Sequence, residues 1–317
     1  MSVADIFNDM ANIYDEMQEL LYAWLFSRLH FIITKEIIMN YNPKTVLDVG
    51  CGTGLQSFLH ATVGASVIGV DIAEDLIAVA KKKTSVFKPG QEINLFPVYY
   101  EFVHRYNKLI ASLLREKIRP GEYSPPNFLI ADAKCLPFPN ESFDHVNCCG
   151  SVVCFIENHP RALFEFSRVL KRGGTILLEV DSRWNMDRLW SVMDALLKGR
   201  WGYDISLTEA LKAICTPPIK YIFNKWPLGQ PEDQTCRLKA FTAKGLKREL
   251  SNFHLEVLKR WTIHSITNFI PSTFLDMVNP PKWLRKLFPF FANLEERIPF
   301  SLPGLSMVLL ARKEETF

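Results

Sequence analysis

The run V-L-D-V-G-C-G-T-G, Val46 to Gly54, sets glycines at alternate positions directly after a short apolar segment. Such a segment reads as a buried parallel strand, and the glycines permit positive φ and close approach of the backbone to a ligand. A strand that runs through a glycine turn into a helix opens a doubly wound α/β unit. The chain continues in that pattern. Leu55 to Val63 reads as a helix, Ser66 to Asp71 as a second strand, and Glu74 to Lys83 as a helix with lysines at its C-terminal end. Further strands are expected at Phe128 to Ala131, Asp144 to Cys149, Thr175 to Asp181, Leu255 to Thr262 and Leu305 to Ala311. Asn158 to Leu170 reads as a helix with Asn158 or His159 as N-cap, Pro160 in the first turn and Gly173-Gly174 closing the end. The expected fold is α/β: a Rossmann-like, doubly wound, seven-stranded and mostly parallel sheet with helical insertions.

Residues 1–41 are expected to form an N-terminal helical cap on a domain spanning 42–317. Segments 88–127, 184–234 and 264–303 exceed a minimal doubly wound domain and read as packed insertions without strand patterns of their own. They are expected to converge above the carboxyl-terminal edge of the sheet and, with the N-terminal helices, to enclose an apolar pocket. Their aromatic residues, Trp184, Trp190, Trp201 and Trp226 among them, suit a core or an apolar ligand.

The glycine spacing narrows the ligand. A dinucleotide fingerprint needs G-x-G-x-x-G, but the third glycine here comes one residue early and Leu55 follows it. A phosphate loop needs G-K-[ST], and no lysine occurs from Thr45 to Val70. A pyrophosphate is therefore not the expected ligand. Asp71 ends the second strand, where a carboxylate can accept from both ribose hydroxyls, and Asp132 follows the third strand on the same edge.

Composition excludes other classes. With 48% hydrophobic and 22% charged residues among 317, the chain reads as globular rather than disordered. A net charge of +3 argues against a nucleic-acid-binding stripe. The first ten residues hold Asp5 and Asp9 and no base, so no secretory signal is expected, and seven cysteines without C-x-x-C suit the reducing cytoplasm. Cys148, Cys149 and Cys154 lack zinc spacing and read as small core residues, and no metal site is expected. The basic, aromatic stretches at Lys108 to Lys117 and Lys282 to Lys286 suit either solvated faces of packed helices or peripheral contact with an anionic membrane surface.

Asp48-x-Gly50-x-Gly52-x-Gly54, Asp71, A-D-A-K-C-L-P-F-P-N-E-S-F-D from Ala131 to Asp144, and R-V-L-K-R-G-G-T-I-L-L-E from Arg168 to Glu179 occur in order. Together they resemble the class I S-adenosylmethionine-dependent methyltransferases, in the small-molecule branch that includes the ubiquinone and menaquinone C-methyltransferases. The resemblance covers Thr45 to Lys83, Asn127 to Asp181 and the last strand. F-N-D-M-A-N-I-Y-D, Phe7 to Asp15, resembles the segment that folds over the cofactor in the quinone enzymes, which implies Tyr14 near the methyl donor. The same resemblance implies Gly50, Cys51 and Gly52 under the methionine part, Asp48 orienting its amino group through the loop, and Asp71 on the ribose. It implies Asp132 and the Ala133 backbone at the adenine, and Cys149 to Ser151 on the floor near the methyl group. Many relatives carry a histidine near Cys154; this chain does not, and the 88–127 insertion also departs from the pattern.

The resemblance implies an S-adenosylmethionine-dependent enzyme, and the aromatic insertions point it toward a small, lipophilic molecule methylated by in-line transfer. Candidate bases are Glu157, His159, Asp181 and His264. Competing readings are a catalytically silent cofactor-binding or scaffold protein and a nucleotide-dependent oxidoreductase, against which the glycine spacing speaks. An RNA or protein acceptor is disfavoured by the near-neutral charge and by N-C-C-G where N-P-P-[YF] would stand.

Overall fold

The computed structural model describes residues 2–15, 21, 23–86, 101–118, 123–203, 205–215, 219–222, 235–275, 277, 280–297 and 302–315. Its strands are β1 (Thr45–Val49), β2 (Ser66–Asp71), β3 (Asn127–Ile130), β4 (Phe143–Cys148), β5 (Leu170–Asp181), β6 (Ile219–Ile222), β7 (Thr235–Leu238), β8 (Leu255–Ile263) and β9 (Ser306–Lys313). Helices α1 (Val3–Met10) and α2 (Ala23–Ile32), the latter running into a π-helical turn Ile33–Ile38, precede β1. The remaining helices are α3 (Leu55–Ala61), α4 (Glu74–Thr84), α5 (Glu101–Arg115), α6 (Val152–Phe155), α7 (His159–Val169), α8 (Asp187–Leu196), α9 (Leu207–Cys215), α10 (Ala243–Ser251), α11 (Ser272–Leu275) and α12 (Lys282–Arg297).

A seven-stranded sheet runs in the order β3-β2-β1-β4-β5-β9-β8. β3 to β5 pair in parallel, and β9 is antiparallel to both its neighbours. Alternation along the strands divides the core between the two faces. Ile176, Leu178, Leu309 and Ala311 join one apolar cluster with α7 and α10, whereas Leu177, Val308 and Leu310 join another with α2, α5 and α12. Helices on both faces explain why the strands read as continuous apolar runs.

Three local expectations change. α7 ends at Val169 and Leu170 is already extended, so Gly173 and Gly174 lie inside β5 rather than closing the helix. A Cβ on Gly174 would press on the Lys171 and Asp144 carbonyls, so the glycine serves the close approach of β4 to β5. The second insertion does carry a strand: β6 pairs antiparallel with β7, from segments too short to show a period. The second and third insertions leave β5 and β8 at the carboxyl-terminal edge. The first joins α4 to the start of β3, which is the opposite edge, and α5 lies across a face against α2. Residues 88–100 and Trp226 fall outside the described residues.

Asp144 pins three strands together at the amino-terminal edge. Its Oδ2 accepts from Lys44 N (3.0 Å), Thr45 N (2.9 Å) and Thr45 Oγ1 (3.0 Å), and its Oδ1 from Lys171 Nζ (2.8 Å). Burial pushes the carboxyl up, but the bonds from Lys171, Thr45 and Lys44 outweigh it and hold the pKa below its usual value. We expect Asp144→Ala to lower stability by about 1.5–3 kcal/mol at neutral pH. Because the folded pKa is depressed, the gap should persist above about pH 4 and close as the pH falls below it. Urea midpoints across that range check this; coincident midpoints at neutral pH would remove Asp144 from the account.

Candidate functional site

The strand order reverses between β1 and β4, and the loops leaving those strands open a crevice where doubly wound sheets bind ligands. Gly50 N and Cys51 N donate to Val70 O (2.8 and 3.1 Å), folding the turn back onto β2. Gly50 (φ +68°) has no room for a side chain, since a Cβ there would overlap Val152 at the start of α6. The two loops therefore touch. Asp71 fastens the turn from the other side, accepting from Gly52 N through Oδ2 and from Ala73 N through Oδ1, each at 2.9 Å.

Carboxylates rim this crevice. Asp48 is buried beneath the turn, accepting from Ser57 Oγ (2.6 Å) and Asn147 Nδ2 (2.8 Å), and burial pushes its pKa up to about 6. Glu179, buried on β5, accepts from Gly150 N at 2.6 Å and is likewise raised by burial. Asp181 accepts from Ser151 Oγ at 2.6 Å; burial raises it to about 7, with Glu179 adding to the effect. Asp71 is also raised by desolvation, which the Ala73 and Gly52 amides oppose. Acids so placed favour a cationic ligand and disfavour a pyrophosphate. A sulfonium bearing an ammonium group fits that chemistry.

The N-terminal segment crosses the mouth of the crevice. The Tyr14 ring lies 3.6 Å from where a Gly52 Cβ would stand. Desolvation raises its phenol pKa, and Asp71, Asp15 and Glu179 raise it further. Thr53 Oγ1 donates to Asp15 Oδ1 at 2.6 Å, Lys83 pairs with Asp15, and Lys83 Nζ also donates to Thr53 O at 3.2 Å. Asn8 Oδ1 accepts from Asp75 N (3.0 Å) in the first turn of α4, and Phe7 packs edge-on against Tyr14 and Phe155.

The structure thus brings Tyr14, Asp48, Gly50, Cys51, Gly52, Asp71 and Asp181 together. Cys51 and Cys149 are buried, and the Cys149 thiol faces Asn147 Oδ1 at 3.6 Å. Asp132 lies past β3 on the same edge, holding Lys134 N at 2.9 Å, with Ala133 buried beside it. The other candidate bases sit elsewhere. Glu157 is exposed. His159 is engaged with Glu249 (2.6 Å) and Lys239 (2.9 Å) and packs on Phe241. His264 is fully buried beside Trp24, bonded to Thr267, and desolvation lowers its pKa to about 3. Sequence reading placed Ser151 on the floor but not as the partner of Asp181, and it missed Glu179 and the Asp15–Thr53–Lys83 latch; an acid inside T-I-L-L-E-V-D was the available signal for Glu179. Among the described residues no cluster of His, Cys, Asp or Glu could hold a metal ion.

Two family models, each described as a methyltransferase domain, match residues 46–96 and 103–178. The ubiquinone biosynthesis O-methyltransferase of Dechloromonas aromatica (strain RCB) is 29% identical over 191 residues, which cover 57% of this chain and 67% of that protein. The demethylmenaquinone methyltransferase of Clavibacter sepedonicus is 27% identical over 177 residues, 56% of each chain. The matches thus span between about half and two thirds of these relatives' length. In fold, the chain is similar to the crystal structure of an S-adenosylmethionine-dependent methyltransferase from Methanosarcina mazei, with a TM-score of 0.52 at 18% identity over 88% of this chain and 98% of that one. Glycine turn, strand order and the two methyltransferase-domain matches all point to an S-adenosylmethionine-dependent methyltransferase of the class I type, with S-adenosylmethionine as methyl donor.

Proposed function

We propose that this protein methylates a small, lipophilic acceptor, with Asp181 as base where the acceptor is a phenol or an acidic carbon. One observation carries the reading: the glycine turn after β1 meets the loop after β4 inside a rim of desolvated carboxylates, Asp181 among them. The quinone methyltransferases among its relatives and the aromatic insertions support the lipophilic acceptor.

When bound, S-adenosylmethionine supplies a methyl carbon already activated by the sulfonium. The protein's part is alignment, which can supply roughly 7–11 kcal/mol of the barrier, together with exclusion of water. Gly50, Cys51 and Gly52 would lie under the methionine part, and Asp48 would act on its amino group through the turn. Asp71 would hold the ribose hydroxyls, and Asp132 with the Ala133 backbone the adenine. Cys149 would line the floor, and Tyr14 would close the site from above. Residues 1–41 act in this reading as the cap on a domain spanning 42–317. Ser151 orients Asp181, whose pKa of about 7 leaves it partly ionised near neutrality, the optimum for a base. Cysteines 51, 135, 148, 149 and 154 are free thiols, in keeping with a reducing cytoplasm. Among the described residues no helix is long and apolar enough to cross a membrane.

The test is transfer of labelled methyl from S-adenosylmethionine to a panel of catechols, demethylated quinones and hydrophilic controls. Label should enter a lipophilic acceptor; binding without transfer to any acceptor would favour a silent cofactor-binding protein. With a phenolic acceptor, kcat/KM should rise with pH through about 7 as Asp181 loses its proton. Asp181→Asn should lower it by about 10²–10⁴-fold, the usual contribution of a positioned base, and flatten the profile. An unchanged profile in the variant removes Asp181 as base.

Asp71→Ala should weaken binding of S-adenosylhomocysteine by about 1.5–3 kcal/mol, the range for hydrogen bonds to a charged group. Calorimetry reads this directly, with NAD as the control ligand that the wild type should bind poorly. Equal affinity in a folded variant takes Asp71 out of the site.

A further inference from the structure

We propose that α12 is a docking helix for the surface of an anionic lipid bilayer. The inference stands apart from the identity of the acceptor, because it rests on the surface of this helix alone. Leu284, Phe288, Ala292 and Glu295 form its buried face. Trp283, Leu287, Phe290 and Leu294 recur every third or fourth residue and so form a second apolar stripe beside the first, and this one faces outward. Trp283 is 53% and Phe290 61% exposed, too much for the edge of a core. Phe269, in the short 3₁₀ turn that packs against α12, is 56% exposed as well. Single exposed apolar residues are ordinary on a soluble protein; a stripe of them on one helix with an aromatic neighbour marks a contact surface.

The charges choose the occupant. Lys282, Lys286 and Arg297 project on the flank next to the stripe, with Arg285 farther round the helix. Among the described residues none of these four bases forms an ion pair. The two acids of the helix are both turned inward. Glu295 Oε2 accepts from the backbone of Ser265, Ile266 and Thr267 at 2.9–3.1 Å, and Glu296 pairs with Arg105 and accepts from Tyr106. The outward side is therefore aromatic and purely basic. A two-fold contact with a second copy would bring these like charges together along the same patch. An anionic bilayer satisfies both features at once, taking Trp283 and Phe290 into the headgroup boundary and the bases onto lipid phosphates. The neighbouring helix α5, joined to α12 through Arg105 and Asn293 (3.2 Å), adds exposed Lys108 and Arg115 to the same charge.

Co-sedimentation of the full chain with vesicles tests this. Wild type should bind vesicles of phosphatidylcholine mixed with phosphatidylglycerol, bind pure phosphatidylcholine vesicles weakly, and release as salt is raised. Lys282→Gln with Lys286→Gln should weaken binding to the mixed vesicles roughly thirtyfold, the product of two neutralised surface charges. Trp283→Ser with Phe290→Ser should abolish it while leaving far-UV circular dichroism and S-adenosylhomocysteine binding unchanged. No binding by wild type, equal binding to both vesicle types, or binding indifferent to both double variants would overturn the proposal. So would a dimer in sedimentation velocity that Trp283→Ser with Phe290→Ser converts to monomer, since the stripe would then be an interface between copies.

Discussion

Val152 fills the space where a side chain on Gly50 would stand, and the rest of the site depends on that contact. It lets the loop after β1 meet the loop after β4 across the point where the strand order reverses. Once they meet, Gly150 N is aligned with Glu179 and Ser151 Oγ with Asp181, so the acids of β5 are drawn toward the turn that β1 carries. Gly54 plays a different part, leaving room for the Phe128 ring of β3. Of the glycines in the turn, Gly52 is the one whose vacant side faces the crevice, beneath Tyr14. One motif thus does two jobs, packing the sheet edge and leaving a ligand surface.

The electrostatic cost of the arrangement explains its selectivity. Desolvation raises Asp48, Asp71, Glu179 and Asp181 together, and the charge of Asp71 adds to it at Asp48 and that of Glu179 at Asp181. Each carboxylate is held by hydrogen bonds from backbone, hydroxyl or amide groups, and Lys83, which reaches the glycine turn, is committed to Asp15 and the Thr53 carbonyl. A phosphate entering this crevice would meet these desolvated acids. A ligand carrying a positive charge relieves the same repulsion that raises the acids, so the charge pattern and the glycine spacing exclude a dinucleotide by independent routes.

Much of this was legible in the sequence, because buried parallel strands are written as continuous apolar runs ending in glycine or aspartate. The expected strands fall within a residue or two of β1, β2, β3, β4, β8 and β9, and Asp71 stands at a strand end as its position implied. The features that escaped depend on contacts distant in sequence. Gly173-Gly174 looks like a helix stop, and only the approach of β4 shows that it belongs to β5. His264 and Asp181 are both titratable residues at the end of a strand, one just past β8 and the other closing β5, yet one is sealed in a core that keeps it neutral and the other opens on the loop of Ser151. Residue type cannot separate them; burial and partners do. The Asp15–Lys83 pair joins segments far apart in the chain, and no local pattern announces it.

The insertions are held to the domain by the same device that shapes the site, a buried carboxylate gathering hydrogen bonds. Asp187 at the start of α8 accepts from Asn268 Nδ2 (3.1 Å), Ser272 N (3.0 Å) and Tyr203, tying the second insertion to the third. Trp190 Nε1 donates to Asn268 O at 2.9 Å alongside. Glu295 then fastens α12 to the turn after β8. Because β9 runs antiparallel, the third insertion leaves β8 and returns to β9 at one edge, and that edge is the one carrying the glycine turn. An antiparallel strand in an otherwise parallel sheet is thus what stations a wall beside the crevice. These hydrogen-bonded acids make that wall part of the domain, so the side of the crevice it lines is built from the same cooperative unit as the glycine turn.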